Sequence, residues 1–324
     1  MPTANSITGT TTTIEIRTKI NKTPSMNASS AKQPSESHRP RSQRPPTDAT
    51  LNRYAHQWGA TTIPFSEDQP GAYQQEHPQL QQAYQSLNQS AALRSLMLLS
   101  GPNGVGKSYL LSHWRDQLDP RRYQPIAITQ ASLSDAGLLA YLARKLGKPS
   151  GTRSTTLMHL EEALTELGET TAVIILDEAQ NYSHSALEEI RLLLGINLTR
   201  RPAFSLILIG DDYLLGALKL RSHRALYTRI ACHHHLEPWN HQEIESLLEA
   251  SQSAVGLESN IIIPAAVKLI VSASGGMPRT ALHLARAAWI AASQAKANQI
   301  TAEHLQSIIP SIPAVSDSVM PSLT

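Results

Sequence analysis

Cysteine is nearly absent. Cys232 stands alone among 324 residues, so no internal disulfide can form and a small disulfide-stapled secreted scaffold is excluded. Aromatic residues are scarce at 5%, with only two phenylalanines, which leaves aliphatic side chains to build the core. Long apolar runs are missing too. The nearest, Ala281 to Ala292, is too short for a membrane span and is interrupted by His283 and Arg286. No apolar segment of signal-peptide type stands at the N-terminus, so the expected location is the cytoplasm. Excess charge of either sign is lacking as well. A net +2 neither requires nor excludes a nucleic-acid partner.

What charge there is lies unevenly. Residues 1–50 are rich in Ser, Thr, Asn and Pro and carry seven basic residues against Glu15, Glu36 and Asp48, a net +4 that leaves −2 on the remainder. This composition reads as a disordered basic tail. Its segment His38 to Pro46, with Arg39, Arg41 and Arg44, reads either as an arm for DNA phosphates or as a solvated linker. Residues 51–90 form a lead-in segment, with a helix expected from Pro78 to Leu87.

From 91 to 238 apolar runs alternate with helical patterns. Strands are expected at 95–100, 124–130, 172–176, 204–210 and 230–236. Helices are expected at 107–118, 135–146, 154–167, 185–194 and 212–219. Such alternation argues for an α/β core whose parallel sheet is covered on both faces. From Asn240 the pattern turns helical (241–255, 263–274, 278–297, 301–308), which makes 239–310 a C-terminal helical lid and 311–324 a flexible tail.

The first strand runs into Gly101-Pro102-Asn103-Gly104-Val105-Gly106-Lys107-Ser108, the spacing G-x-x-x-x-G-K-S between a strand and a helix. In that context the glycines let consecutive backbone N–H groups curl around phosphate oxygens, and the helix dipole adds to the field. Lys107 supplies charge for the β- and γ-phosphates, and the Ser108 hydroxyl suits Mg2+. These residues point to ATP with Mg2+. A second apolar strand, Val173 to Leu176, ends in Asp177-Glu178. Asp177 is the candidate for the magnesium shell, and Glu178 for the base that polarises the attacking water.

The stretch Asp177-Glu-Ala-Gln-Asn-Tyr-Ser-His-Ser-Ala-Leu-Glu-Glu-Ile-Arg191 resembles the Walker B region of ATPase modules of the general secretion pathway protein A (ExeA) type. That module is similar to the ATPase helpers of Mu-like and Tn7-like DNA transposition, all within the AAA+ superfamily. Ile63-Pro-Phe65, Leu208-Ile-Gly210-Asp-Asp-Tyr-Leu and Gly275-Gly-Met-Pro-Arg279 resemble other motifs of the family, and the likeness covers about residues 54 to 310. It implies a P-loop NTPase of AAA+ type, an ATP hydrolase. It places sensor 1 on Asp211, the arginine finger on Arg229 with Arg221 and Arg224 as rivals, and sensor 2 on Arg279. An acidic sensor 1 would repel a γ-phosphate unless turned away or bound to magnesium. A finger acting in trans implies a homo-oligomer with ATP at its subunit interfaces.

Three functions are compatible with the resemblance. One is a helper that assembles on double-stranded DNA with ATP and regulates a transposase or target-site choice. Another is a secretion-assembly ATPase acting on protein partners, and a scaffold with little turnover is a third. Proteins of the secretion type usually carry a membrane helix and a wall-binding domain, and neither is read here. Arg144, Lys145, Lys148, Arg153, Arg200 and Arg201 are candidates to line a DNA channel or to form a solvated face. Cys232-His-His-His235 is not expected to bind zinc, because adjacent strand residues face opposite ways and no second cluster completes a site. Trp114, Trp239 and Trp289 are expected to be packed, with no ligand role, and His241 and His283 to have structural or surface roles.

Overall fold

Three of the apolar runs are continuous because their strands are buried on both faces. In a computed structural model, which describes residues 47–67, 77–129, 137–196, 203–257 and 261–311, these are β1 (Leu96–Ser100), β3 (Thr171–Leu176) and β4 (Phe204–Gly210). Every residue of the three is buried, as expected for the centre of a parallel sheet. The edges are β2 (Tyr123–Ile128) and β5 (Ile230–His235), which alternate between covered and exposed positions. The order is β2-β3-β4-β1-β5, and all four pairings are parallel. Every strand therefore ends at the same edge, where ligands bind in open α/β sheets.

Side-chain alternation splits the core in two. Leu98, Ile174, Leu176, Leu206 and Leu208 face one side and pack with α4 (Gly137–Lys145), α5 (Arg153–Glu166), α6 (His184–Leu193), α7 (Asp212–Lys219) and α8 (Arg224–Tyr227). Met97, Leu99, Val173, Ile175, Ile207 and Ile209 face the other side. They share one hydrophobic cluster with α1 (Asp48–Trp58), α2 (Pro78–Leu93) and α3 (Lys107–Asp116). The same cluster takes in the helices after the sheet, α9 (His241–Ser253), α10 (Pro264–Ser274) and α11 (Pro278–Gln294), with Leu305 of α12 (Ala302–Gln306). The helical lid is thus continuous in packing with one sheet face.

Local chemistry sets the helix starts. Pro78, Pro264 and Pro278 each open a helix, where the missing N–H costs nothing. Asn240 and Glu243 cap α9 reciprocally, at 3.0 and 2.7 Å.

Two expected boundaries move. The tail was expected to run to residue 50, yet α1 begins at Asp48. It is anchored by Trp58, whose indole N–H donates to Ser293 Oγ at 2.8 Å, and by Tyr54 edge-on to Trp289 at 6.2 Å. The helix expected to end at Leu87 continues to Leu93, because Ser90 and Ala91 are buried on the same face. Residues 1–46, 312–324 and the pair Arg200, Arg201 lie outside the described residues. Among the described residues no helix is long and apolar enough to cross a membrane.

Candidate nucleotide-binding site

The glycine-rich loop joins β1 to α3 at the carboxyl edge of the sheet. Gly101 has φ 148°, and a Cβ there would stand 2.5 Å from the Leu236 carbonyl oxygen, so only glycine fits. Gly106, at φ 112°, turns the chain into α3 as its N-cap. Pro102, Asn103 and Gly104 form the outer bend. Val105 is buried in the core and anchors the loop from below rather than facing a ligand. The loop is also stitched to the lid, since Arg279 N–H donates to the Gly104 carbonyl at 3.2 Å.

Lys107 folds back over this loop. Its Nζ donates to the carbonyls of Gly101 (2.7 Å) and Pro102 (3.0 Å), and the side chain is buried. Burial pushes its ammonium below the ordinary lysine range, against the opposing pull of the Glu178, Asp211, Asp177 and Asp212 carboxylates. Burial likewise pushes Asp177 above the usual carboxylate range. The Glu178 N–H, Lys107 and the Ser108 hydroxyl oppose that shift, and the Glu178 charge adds to it. Ser108 is thus among the neighbours that favour the ionised form of Asp177. A buried carboxylate beside a hydroxyl is a donor set of hard oxygens that fits Mg2+.

Glu178 follows in the left-handed region (φ 53°, ψ 37°), a conformation that costs a non-glycine residue about 1 kcal/mol. Its N–H donates to Asp177 Oδ1 at 2.9 Å, and its Oε2 accepts from Gln180 Nε2 at 2.6 Å. Strain of this kind clusters at functional sites. The Asp211 charge acts on Lys107, but one of its carboxylate oxygens is committed elsewhere. Its Oδ1 caps α7, accepting from Tyr213 N–H (3.0 Å) and Leu214 N–H (3.3 Å), so that oxygen of the acidic group expected at sensor 1 is turned toward its own helix.

A cavity of about 670 Å3 lies between the loop, α3 and the start of α11. Asn103, Gly104, Lys107, Ser108, Glu178 and Arg279 line its polar part, and Leu80, Trp239, Leu247 and Leu282 its apolar part. Trp239, expected only to pack, faces this cleft. Its backbone N–H donates to the Gly276 carbonyl at 2.8 Å, and its ring lies 4.0 Å from the His77 imidazole. Burial keeps His77 below the usual histidine range despite Glu243 at 3.3 Å.

Glu67 is a second residue that sequence reasoning missed. Its Oε2 accepts from Arg279 Nε at 2.9 Å, and its Oε1 lies 2.6 Å from His283 Nε2. Burial alone would raise the Glu67 pKa, but the bonds from Arg279 and His283 outweigh it and lower the value. The stability this clamp contributes is therefore complete above the ordinary glutamate pKa and is lost only as pH falls through the depressed one. The bond engages Arg279 through Nε and leaves its terminal nitrogens outside it. Glu67→Ala should then weaken ATP affinity by a factor of about 2 to 5, the worth of an exposed ion pair. Titration calorimetry checks this; tighter binding would mean that Glu67 competes with phosphate for Arg279.

Arg229 is not in the cleft. It precedes Ile230, which pairs with Leu96, whereas the loop follows Ser100, which pairs with His235. Five residues of strand, about 16 Å, separate the two ends. Its guanidinium is exposed and donates to the Arg191 carbonyl at 3.1 Å. Arg221 and Arg224 are exposed nearby.

Of the basic channel candidates, Lys148 pairs with Glu166 (2.6 Å) and Arg153 with Glu189 (3.9 Å). Arg144 and Lys145 lie over the Tyr141 ring. In the histidine run, His233 and His235 are two apart and share a side, and each ring places a nitrogen 2.8 Å from Ser100 Oγ. Among the described residues no group of three or more His, Cys, Asp or Glu side chains could hold a metal ion.

Residues 91–218 match the family model described as an AAA domain. The chain is 28% identical over 188 residues to general secretion pathway protein A of Aeromonas hydrophila, covering 56% of this chain and 34% of that protein. It is 29% identical over 224 residues to ORC1-type DNA replication protein 1 of Halobacterium salinarum, covering 66% and 68%. The chain thus spans about a third of the first relative and two thirds of the second. Among solved structures, ORC2 of Aeropyrum pernix superposes with a TM-score of 0.57 at 17% identity, covering 80% of this chain and 72% of that one. Cdc6p of Pyrobaculum aerophilum gives 0.56 at 20%, covering 80% and 71%. At such identities these likenesses establish the fold, that of P-loop AAA+ ATPases.

Proposed function

We propose that this AAA-domain ATPase, related to general secretion pathway protein A and to ORC/Cdc6-type ATPases, hydrolyses ATP at the interfaces of a homo-oligomer that assembles on double-stranded DNA. The observation that carries the reading is the convergence of Lys107, Ser108, Glu178 and Arg279 on one cleft beside the buried carboxylate of Asp177. In it the loop N–H groups and Lys107 bind the phosphates, which replace the Gly101 and Pro102 carbonyls as partners of Nζ. Ser108 and Asp177 would hold Mg2+, which would neutralise developing phosphate charge. Glu178 takes the proton of the attacking water, and Arg279 steadies the phosphates from the lid. The apolar part of the cleft, with Trp239, covers the base.

Arg229 lies at the end of β5 away from its own loop, which supports a role at the nucleotide of a neighbouring subunit. Arg229→Ala should lower turnover about a hundredfold, the size of losing one transition-state charge donor. Monomer affinity for ATP should be unchanged by calorimetry. The same phenotype in Arg221→Ala or Arg224→Ala, with Arg229→Ala normal, would reassign the finger.

The DNA partner is supported by the DNA replication relative and by the basic composition of residues 1–50. The finer role, regulating a transposase or target-site choice, rests on the motif resemblance of Asp177 to Arg191. The match to a secretion protein favours a second reading, an ATPase that remodels envelope proteins. Duplex binding with and without a slowly hydrolysed ATP analogue, across a salt series, separates the two. Nucleotide-dependent binding that weakens steeply with salt, with growth in particle size, supports the DNA reading. No binding in any nucleotide state, with hydrolysis intact, supports the protein-directed one.

A further inference from the structure

Gln180 follows the two carboxylates in the single turn Ala179–Asn181 and is half-buried, and none of the roles above uses it. The atom 2.6 Å from Glu178 Oε2 is its amide nitrogen, because a carboxylate only accepts. The amide oxygen at the other end is buried without a hydrogen-bond partner. It presses against the end of β4, where a Cβ built on Gly210 would stand 2.9 Å away. The amide is therefore wedged, packed against β4 on one side and bonded to Glu178 on the other. The Glu178 backbone is already fixed by its left-handed conformation and by Asp177 Oδ1. The remaining freedom is rotation of its side chain, and the Gln180 bond takes that up.

We propose that Gln180 is a positioning residue for hydrolysis: its amide N–H holds Glu178 Oε2, so that Oε1 is the oxygen presented to the attacking water. The inference rests on the reading of Glu178 as general base. Gly210 adjoins the same device, because a Cβ there would meet both Leu214 Cδ2 at 2.6 Å and the amide oxygen at 2.9 Å. The next residue, Asp211, caps α7, so the wedge ties the carboxylate to the strand that leads into that cap.

The test measures hydrolysis and ATP affinity on the full chain for Gln180→Ala, Gln180→Met, Glu178→Gln and the double variant Glu178→Gln with Gln180→Ala. Gln180→Met keeps the bulk against Gly210 and removes only the donor, so it separates the bond from packing. Both Gln180 variants should lower kcat about tenfold to thirtyfold with ATP affinity within about twofold, and Gln180→Ala should cost nothing further once Glu178 is replaced. Wild-type turnover in Gln180→Met, a matching loss of ATP affinity, or an additive loss in the double variant overturns the positioning role and leaves Glu178 as base. Wild-type turnover in Glu178→Gln overturns the base assignment and this inference with it.

Discussion

Lys107→Ala should abolish ATP binding. The residue is buried, and its two partners, the carbonyls of Gly101 and Pro102, are loop atoms that a phosphate group would supplant. Burial lowers its pKa, so at neutral pH the charged form costs the folded state free energy. The sign matters for the experiment. A group whose folded pKa is depressed by burial of its cation weakens the fold at pH below that value, so removing the charge does not by itself unfold the chain. Without nucleotide, the variant should melt within a few degrees of wild type. ATP at about a hundred times its Kd stabilises a protein by about 2.7 kcal/mol, which for a domain of this size raises Tm by roughly 5 °C or more. In Lys107→Ala that shift should vanish in thermal melts. An undiminished shift would remove the loop as the phosphate site.

The parts that were legible in the sequence have one physical property in common: a single local requirement fixes them. β1, β3 and β4 read correctly because strands buried on both faces need unbroken apolar runs. The bend between β1 and α3 was legible because Gly101, Gly104 and Gly106 all take positive φ, and at Gly101 the Leu236 carbonyl also comes close. The misses depend on distant partners or on composition that masks a pattern. Leu51, Tyr54, Ala55 and Trp58 of α1 have helical spacing, but they adjoin a polar tail that hides them, and the helix packs on α11 far along the chain. Glu67 has no local motif, since its role comes from Arg279 and His283 more than two hundred residues away. Trp239 looked like core and is nearly buried, yet its exposed edge lines the cleft. A tryptophan between the sheet and the first lid helix, beside a capping box, was the signal available. Asp211 shows the reverse: its identity was plain, but only the structure reveals that its carboxylate serves α7.

Glu178→Gln should bind ATP and hardly hydrolyse it. The substitution keeps size and shape, and its amide oxygen can still accept the Gln180 N–H, so the strained turn at φ 53° keeps its local support. What is lost is the ability to take a proton, which is worth about a thousandfold in kcat, or about 4 kcal/mol of barrier. The neighbouring carboxylate should respond in the opposite sense. The Glu178 charge is one of the factors that raise the pKa of Asp177, after burial itself. Removing that charge favours the ionised form of Asp177 but also takes one negative charge from the cation's surroundings, and because the two effects oppose, affinity for Mg2+ should change little. Asp177→Asn removes the charge that binds the cation and should lower Mg2+ affinity instead. Turnover and Mg2+-dependent ATP binding, measured on both variants, therefore separate the two acidic residues. With hydrolysis blocked and nucleotide held, Glu178→Gln should also keep the oligomer assembled in light scattering long after wild type has fallen apart. Wild-type turnover in Glu178→Gln would take the base from this residue, and a loss of Mg2+ affinity there would exchange the roles given to it and Asp177.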